Sequence, residues 1–264
     1  MLIAHISDSH IAGFGEKAYG VAPTAENLSL CVNHINRLRP QPDCVLVTGD
    51  ITFDGLMEEV QRTSAILKKL NYPFYVVPGN HDDRATLFSE FSKNHCPANN
   101  ENFINYVIED YEIRLIGMDS TIPDAPGGEI CTQQAQWLET RLADQPEQPT
   151  IIFMHHPPVN CGVLETDEDG FKGTKRLGDI IAKYANIERI LCGHIHLEAH
   201  IKWCETIVST APSMGLQLNL DLTLKKPSQF YVDSPGYQLH FYHQEKHLIS
   251  HTVYVKDRNG PYLF

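Results

Sequence analysis

Short apolar runs alternate along this chain with longer segments whose apolar residues recur every three or four positions. The longer segments predict amphipathic helices, and the short runs predict buried strands. Helices are predicted at residues 24–38, 56–70, 133–142 and 174–184. Strands are predicted at residues 2–6, 44–47, 74–77, 103–108, 113–118, 150–154 and 187–192, and the runs at 238–242 and 248–255 are predicted to pair.

The order of these elements indicates the fold class. Strand–helix–strand alternation is followed by a more β-rich part, which predicts a layered α/β protein with a mixed sheet. No linker or repeat interrupts the pattern, so residues 1–264 are expected to form one domain. Residues 212–236 are the least regular stretch, with three prolines and no clear period. A loop of this length is often a lid over a site or an oligomer contact, but a surface excursion without such a role fits equally well.

Composition narrows the classes of function. The 264 residues are 42% hydrophobic and 20% charged, which is ordinary for a globular protein with a large core. The formal net charge of -12 disfavours a polymeric nucleic acid as partner, since proteins that bind nucleic acids usually present a basic face. A small anionic substrate remains compatible with this charge, because bound metal ions can invert the local field.

The cysteines and the N-terminal sequence bear on the compartment. The seven cysteines are odd in number and include no CxxC pair, which argues against a disulfide framework and against a cysteine zinc site. The first residues, MLIAHISDSH, lack the basic and apolar regions of a signal peptide. The sequence contains no run of about 18 apolar residues, so no transmembrane helix is predicted. We therefore expect a cytoplasmic protein without a membrane partner.

Candidate chemistry is concentrated where predicted strands end. In open α/β sheets the carboxyl ends of the strands are where ligands bind. Single motifs of this kind are common, but their joint occurrence at several strand ends indicates a shared site. The strand ends read Asp8-Ser9-His10, Gly49-Asp50, Gly79-Asn80-His81-Asp82, His155-His156 and Gly193-His194-Ile195-His196.

The types of side chain indicate a metal site with open coordination positions. Imidazole with carboxylate suits zinc, iron, manganese or cobalt rather than calcium. The lack of thiolates at these positions argues against a closed structural zinc site. There are too many ligands for one ion, so two ions that share a carboxylate are expected, about 3.5–4 Å apart. The expected ligands are Asp8, His10, Asp50, Asn80, His156, His194 and His196.

The same motifs resemble the calcineurin-like metallophosphoesterase superfamily, whose pattern is D-x-H, GD, GNH[DE], H and GHxH. The blocks here read DSH, GDIT, GNHDD, MHHPP and GHIH, and they span Asp8 to His196. The stretches GEKAYG, NYPFYVVPGNHDD and IFMHHPP resemble the branch of bacterial class III cyclic-nucleotide phosphodiesterases and glycerophosphodiester phosphodiesterases. This resemblance implies a four-layer α/β/β/α sandwich with metals at the carboxyl ends of the strands.

The resemblance also implies how the ligands are divided. Asp50 would bridge the two ions, and a hydroxide bound to them would attack phosphorus in line. His155 would orient a ligand without binding a metal itself. The first ion would be held by Asp8, His10 and His196, and the second by Asn80, His156 and His194.

Asn80 and His81 are implied to contact the substrate, and with Asp50 they form the expected catalytic set. His81 would contact the phosphate, and its ordinary pKa near 6.5 suits a general acid that protonates the leaving alkoxide. The alternative is that His81 only orients a metal ligand.

Cyclic AMP is the first substrate that the resemblance suggests, because residues 233–237 are similar to the cyclic-nucleotide members. Glycerophosphodiesters or a broad range of small diesters are the alternative. Many members of this branch carry a further histidine after an ST-x-P segment, but here residues 209–217 contain none. A non-catalytic scaffold is a third, remote alternative. Relatives form homo-oligomers, so the resemblance also implies a possible homo-oligomer here.

Overall fold

Strands and helices alternate through the first three quarters of the chain in the computed structural model. The structure describes residues 1–99, 102–225, 227–243, 247–256 and 262. The helices are α1 (Thr24–Ile35), α2 (Met57–Leu67), α3 (Arg84–Phe91), α4 (Thr132–Asp144), α5 (Leu164–Asp169) and α6 (Thr174–Ile181). The strands are β1 (Leu2–Ile6), β2 (Cys44–Thr48), β3 (Phe74–Val77), β4 (Tyr106–Ile108), β5 (Arg114–Gly117), β6 (Thr121–Ile122), β7 (Ala125–Glu129), β8 (Thr150–Phe153), β9 (Phe171–Lys172), β10 (Ile187–Cys192), β11 (Ala199–Trp203), β12 (Thr206–Thr210), β13 (Leu216–Leu218), β14 (Phe230–Val232), β15 (Gly236–Tyr242) and β16 (Leu248–Tyr254).

Two mixed sheets form the centre of the molecule. The first has the order β16-β15-β1-β2-β3, with β1, β2 and β3 parallel and β15 and β16 antiparallel. The second has the order β11-β12-β10-β8-β5-β4, with parallel strands in its middle and antiparallel strands at its edges. The predicted pairing of the last two long strands is confirmed.

The sheets pack face to face, with helices on their outer sides. Alternation along β8 shows this directly, since Ile151 and Phe153 join the core that contains β1, β2 and α1, whereas Ile152 packs with α4 and α6. Alternate residues of a strand point to opposite faces, so each middle strand of the second sheet contributes to both cores. The predicted four-layer α/β/β/α sandwich is confirmed.

Several predicted helices and strands are shorter in the structure than predicted. Helix α1 ends at Ile35 rather than at residue 38, because the following residues form tighter turns, with Leu38 N–H donating to the Ile35 carbonyl. Strand β4 begins at Tyr106, three residues later than predicted. Short elements were not predicted at all: α3 buries only Leu87 and Phe91, too few residues to establish a period.

The stretch at residues 212–236 is more regular than predicted. Strands β13 and β14 pair antiparallel within it, and Leu216 lies opposite Val232. Residue 226 of this stretch lies outside the described residues. In the part of the chain that the structure describes, no helix has the length and apolar character needed to cross a membrane.

Candidate metal centre

The parallel strands bring the sequence motifs to one edge of the two sheets. β1, β2 and β3 run in the same direction in one sheet, as do β8 and β10 in the other. Two groups of ligand-type atoms result, and within each group all of these atoms lie within 4.8 Å of one another. The first group is Asp8, His10, Asp50 and His196, and the second is His155, His156 and His194.

The first group is preorganised around imidazole nitrogens. His196 donates its Nδ1–H to the carbonyl of Leu216 at 2.8 Å, so the lone pair of Nε2 faces the site. This Nε2 lies 2.9 Å from Nε2 of His10 and 3.5 Å from a carboxylate oxygen of Asp8. Nε2 of His10 lies 3.5 Å from Asp50, which places the Asp50 carboxylate between the two groups.

His155 points into the second group. Its Nδ1 donates to the carbonyl of Thr48 at 2.7 Å, so Nε2 is the ring nitrogen that faces the site. Nε2 lies 3.1 Å from Asn80 Oδ1, 3.3 Å from Asp50 Oδ2 and 3.2 Å from Nδ1 of His194. The carboxylate, the amide and the two imidazoles therefore converge on one point.

His156 is engaged elsewhere. Its Nε2 lies 3.0 Å from the carbonyl of Pro126, which can only accept, so Nε2 carries the proton. Its Nδ1 must then accept from the hydroxyl of Ser120 at 2.9 Å. Burial, together with the charge of His155, lowers the pKa of His156 to about 3, so the ring is neutral. Both nitrogens of His156 are satisfied, whereas Nε2 of His155 faces Asn80 and Asp50. His155, expected from the sequence only to orient a ligand, is therefore a candidate ligand beside His156.

His81 lies against the first group. Its backbone N–H donates to Asp50 Oδ1 at 2.9 Å, and its Nδ1 donates to the carbonyl of Phe53 at 2.7 Å. The centroid of its ring is 4.6 Å from that of His10. Because Nδ1 is used, Nε2 is the ring atom that can face a substrate. Asn80 and His81 also line a cavity of about 290 Å³, together with Arg84.

Buried charge accumulates at this site. Burial raises the pKa of Asp8, although His196 opposes the shift. Burial also acts to raise the pKa of Asp50, but His155 and His10 hold it well below its usual range. The pKa of His155 would be lowered by burial, yet Asp50 raises it to about 9. With a pKa of about 9, His155 is protonated at neutral pH and compensates the charge of Asp50. A divalent cation bound beside Asp50 would compensate that charge instead, and His155 would release its proton.

The donor set fits divalent metal ions. Nδ1 of His10 is buried and has no hydrogen-bond partner among the described residues. Burial lowers the pKa of His10 and of His194 well below the usual value, so both rings hold a free lone pair. Neutral imidazoles and ionised carboxylates are the forms that bind metals.

The backbone is strained where these side chains are attached. Left-handed φ angles are rare for residues other than glycine and concentrate at functional sites, because strain there must be supported by the surrounding fold. The strained residues are Asp8 (φ 52), His10 (φ 40), Asp50 (φ 47), His194 (φ 72) and His196 (φ 54).

Two glycines permit the close approach of the ligand-bearing segments. A Cβ on Gly193 would lie 1.9 Å from Ser7 Oγ and 2.6 Å from Asp8 Oδ2. A Cβ on Gly79 would lie 2.2 Å from Asp50 Oδ1. The glycines of the GHIH and GNHDD blocks are therefore required by packing against the carboxylates.

Asp82 was not predicted to have a role, yet it fixes the position of Asn80 and His81. Its carboxylate accepts from the N–H groups of Gly79 (2.9 Å), Ile51 (3.2 Å) and Thr52 (2.9 Å), and from the Thr52 hydroxyl at 2.6 Å. These bonds join the loop after β3 to the loop after β2. The signal in the sequence was the Asp that follows GNH, whose loop position is typical of a carboxylate that accepts backbone N–H groups.

Comparisons with known proteins identify a family and relatives of this chain. The model of the calcineurin-like phosphoesterase family matches residues 1–198. The chain is 38% identical to the probable glycerophosphodiester phosphodiesterase GpdQ of Arcobacter nitrofigilis, over 100% of this chain and 97% of the relative. It is 28% identical to the 3',5'-cyclic adenosine monophosphate phosphodiesterase CpdA of Escherichia coli K12, over 89% of this chain and 83% of that protein.

Solved structures share the fold at low identity. A dimetal phosphatase from Danio rerio superposes with a TM-score of 0.66 at 15% identity, covering 97% of this chain and 99% of that chain. GAP50, the anchor in the inner membrane complex of Plasmodium, superposes with a TM-score of 0.67 at 14% identity, covering 97% and 85%.

Proposed function

Since the chain belongs to the calcineurin-like phosphoesterase family and is a metal-dependent phosphodiester hydrolase, we propose that it holds two divalent metal ions and hydrolyses small diesters, glycerophosphodiesters first among them. The observation that supports the metal centre is that Asp50 lies within reach of both groups, 3.5 Å from His10 of the first and 3.3 Å from His155 of the second. Iron, manganese, zinc and cobalt all suit this set of nitrogen and oxygen donors.

The ligands divide into two sets around a shared carboxylate. Asp50 lies within reach of both sets, 3.5 Å from His10 and 3.3 Å from His155. We propose His155 in place of the predicted His156, because its Nε2 lies 3.1 Å from Asn80 and 3.3 Å from Asp50, whereas both nitrogens of His156 are bonded to other groups. We assign Asp8, His10 and His196 to the first ion, and Asn80, His155 and His194 to the second.

The bound ions would supply a water nucleophile of lowered pKa and neutralise charge on the phosphoryl oxygens. The residues of the chain position the substrate and move the proton. His81 is held at two points, by Asp50 and by the Phe53 carbonyl, so its Nε2 has a fixed direction. A protonated Nε2 can donate to the leaving alkoxide, which makes His81 the general acid.

The choice of substrate follows the comparisons. Sequence identity to the probable glycerophosphodiester phosphodiesterase GpdQ is higher than identity to the cyclic AMP phosphodiesterase CpdA, and it extends over the full chain. Cyclic AMP, the first substrate suggested by the sequence, is the second candidate. A specific feature supports it: the ring of Phe53 lies beside His81, and the ring of Tyr19 packs against Phe53.

A substrate panel with metal analysis tests this function. Protein purified with manganese should contain about two ions per chain and turn over bis(p-nitrophenyl) phosphate and glycerophosphoethanolamine. A metal content well below two, or no turnover of any diester with added manganese, zinc or cobalt, contradicts the proposal.

The assignment of His155 is tested with a matched pair of neighbouring histidines. His155→Ala should reduce the metal content by about one ion and lower kcat/KM by several hundredfold, because it removes a ligand. His156→Ala leaves the ligand set intact and should retain both ions at saturating metal, with a smaller loss of activity. Loss of one ion in His156→Ala but not in His155→Ala would restore the original assignment.

A further inference from the structure

Three aromatic rings from distant segments meet at the mouth of the site. The rings of Tyr19 and Phe53 contact edge to face with centroids 4.9 Å apart. The ring of Phe230, on β14, lies 5.3 Å from that of Tyr19. We call these three residues, Tyr19, Phe53 and Phe230, the aromatic wall.

The wall is supported from beneath and tied to the metal centre. Ala18, Ala22 and Leu216 form a small buried cluster against which Phe53 packs. The carbonyl of Leu216, on the strand that pairs with the Phe230 strand, accepts from His196 at 2.8 Å. The strand that carries Phe230 is therefore linked through β13 to His196.

The wall begins where the leaving group would be protonated. The ring centroid of Phe53 lies 6.1 Å from that of His81 and 6.4 Å from that of His10. The Phe53 carbonyl also holds the His81 ring in place. A substituent on the oxygen that His81 protonates therefore lies within reach of the Phe53 ring and, further out, of Tyr19 and Phe230.

The exposed part of the wall is apolar beside a site rich in charge. Tyr19 is 50% exposed and Phe230 is 38% exposed, although both pack against another ring. Contiguous exposed apolar surface at a site often marks a binding surface. Flat aromatic groups stack on such rings, whereas the glyceryl group of a glycerophosphodiester has no flat face.

We propose that the aromatic wall is a specificity surface that binds the flat aromatic ring of a leaving group, such as the purine on the ribose of a cyclic nucleotide. This inference rests on the proposed diester hydrolysis and selects among its substrates. In 3',5'-cyclic AMP both ester oxygens belong to the ribose that carries the base, so the base is always on the leaving side. The wall therefore lowers KM for such substrates without changing the chemistry at phosphorus.

The test compares Phe230→Ala with a matched control in the holoenzyme. Phe241 has the same 38% exposure, but it pairs with Leu2 at the end of β1 remote from Asp8. With cyclic AMP, Phe230→Ala should lower kcat/KM about tenfold, mainly through KM, which corresponds to about 1.4 kcal/mol. With glycerophosphoethanolamine the change should stay within about twofold. Phe241→Ala should alter neither substrate, and Phe230→Tyr should restore cyclic AMP turnover.

The outcomes separate the two proposals. If wild-type protein turns over neither substrate with added metal, the proposed function fails and the inference fails with it. If wild-type protein hydrolyses glycerophosphoethanolamine but not cyclic AMP, or if Phe230→Ala lowers both substrates equally or neither, the wall has no such role and the proposed function stands.

Discussion

Replacing Gly193 with alanine should disable the metal centre, although the change adds a single methyl group. The added Cβ would lie 1.9 Å from Ser7 Oγ, and the closest approach that real Cβ atoms tolerate is about 3.0 Å. Gly193 cannot easily withdraw, because its N–H donates to the His155 carbonyl at 3.0 Å. Ser7 and Asp8 must therefore move away from residue 193.

The size of the effect follows from this displacement. About 1 Å of movement is needed, and the Asp8 carboxylate also accepts from His194 N–H at 3.0 and 3.1 Å. A shift of about 1 Å in a reacting group typically lowers the rate by about a hundredfold. Overpacking should also reduce the free energy of unfolding by about 1–3 kcal/mol.

The assay is kcat/KM for bis(p-nitrophenyl) phosphate at saturating manganese, together with metal content. Gly13→Ala is the control, because its Cβ would meet only the flexible ends of Glu58 and Glu16, at 3.2 and 3.4 Å. Adding Ser7→Ala to Gly193→Ala removes the closest contact and should recover part of the activity. Activity of Gly193→Ala within threefold of the wild type, with two ions bound, would refute the reasoning.

Three further expectations concern stability. Asp119→Asn breaks the buried ion pair with Arg84 (2.7 Å) and should lower the free energy of unfolding in urea by about 3 kcal/mol. Asp179→Asn breaks an exposed pair and should lower the same free energy by at most about 1 kcal/mol. Equal losses in the two variants would contradict this expectation. Burial lowers the pKa of His5 to about 3, against 6.5 in the unfolded chain, so the unfolded chain binds the proton more tightly. The free energy of unfolding should therefore fall by up to about 1.4 kcal/mol for each pH unit below 6.5. The fall should be less steep in His5→Asn, and an unchanged slope in that variant would exclude His5 as the cause. Chelation of the metals should lower the midpoint of thermal unfolding and abolish activity, both restored by manganese, and an unaltered midpoint would argue against metals in this cluster.

Much of the architecture could be predicted from the chain alone. Long buried strands such as β1, β2 and β10 were predicted close to their observed bounds, because continuous apolar runs are a local signal. The hairpin of β13 and β14 could not be predicted, since all three residues of β14 are exposed and therefore give no pattern of buried and exposed positions.

The sequence by itself determined that aspartate, asparagine and histidine side chains of the kind that bind metals follow several strands, and parallel strands bring the residues that follow them to the same edge of the sheet. It could not decide between His155 and His156. These neighbours differ only in which of them meets the Thr48 carbonyl and which meets Ser120. Thr48 belongs to the other sheet, so only the packing of the two sheets decides which ring faces Asp50 and Asn80, and therefore which histidine we propose as a ligand. The aromatic wall has the same origin, since its three rings are far apart in the chain and meet only in the fold.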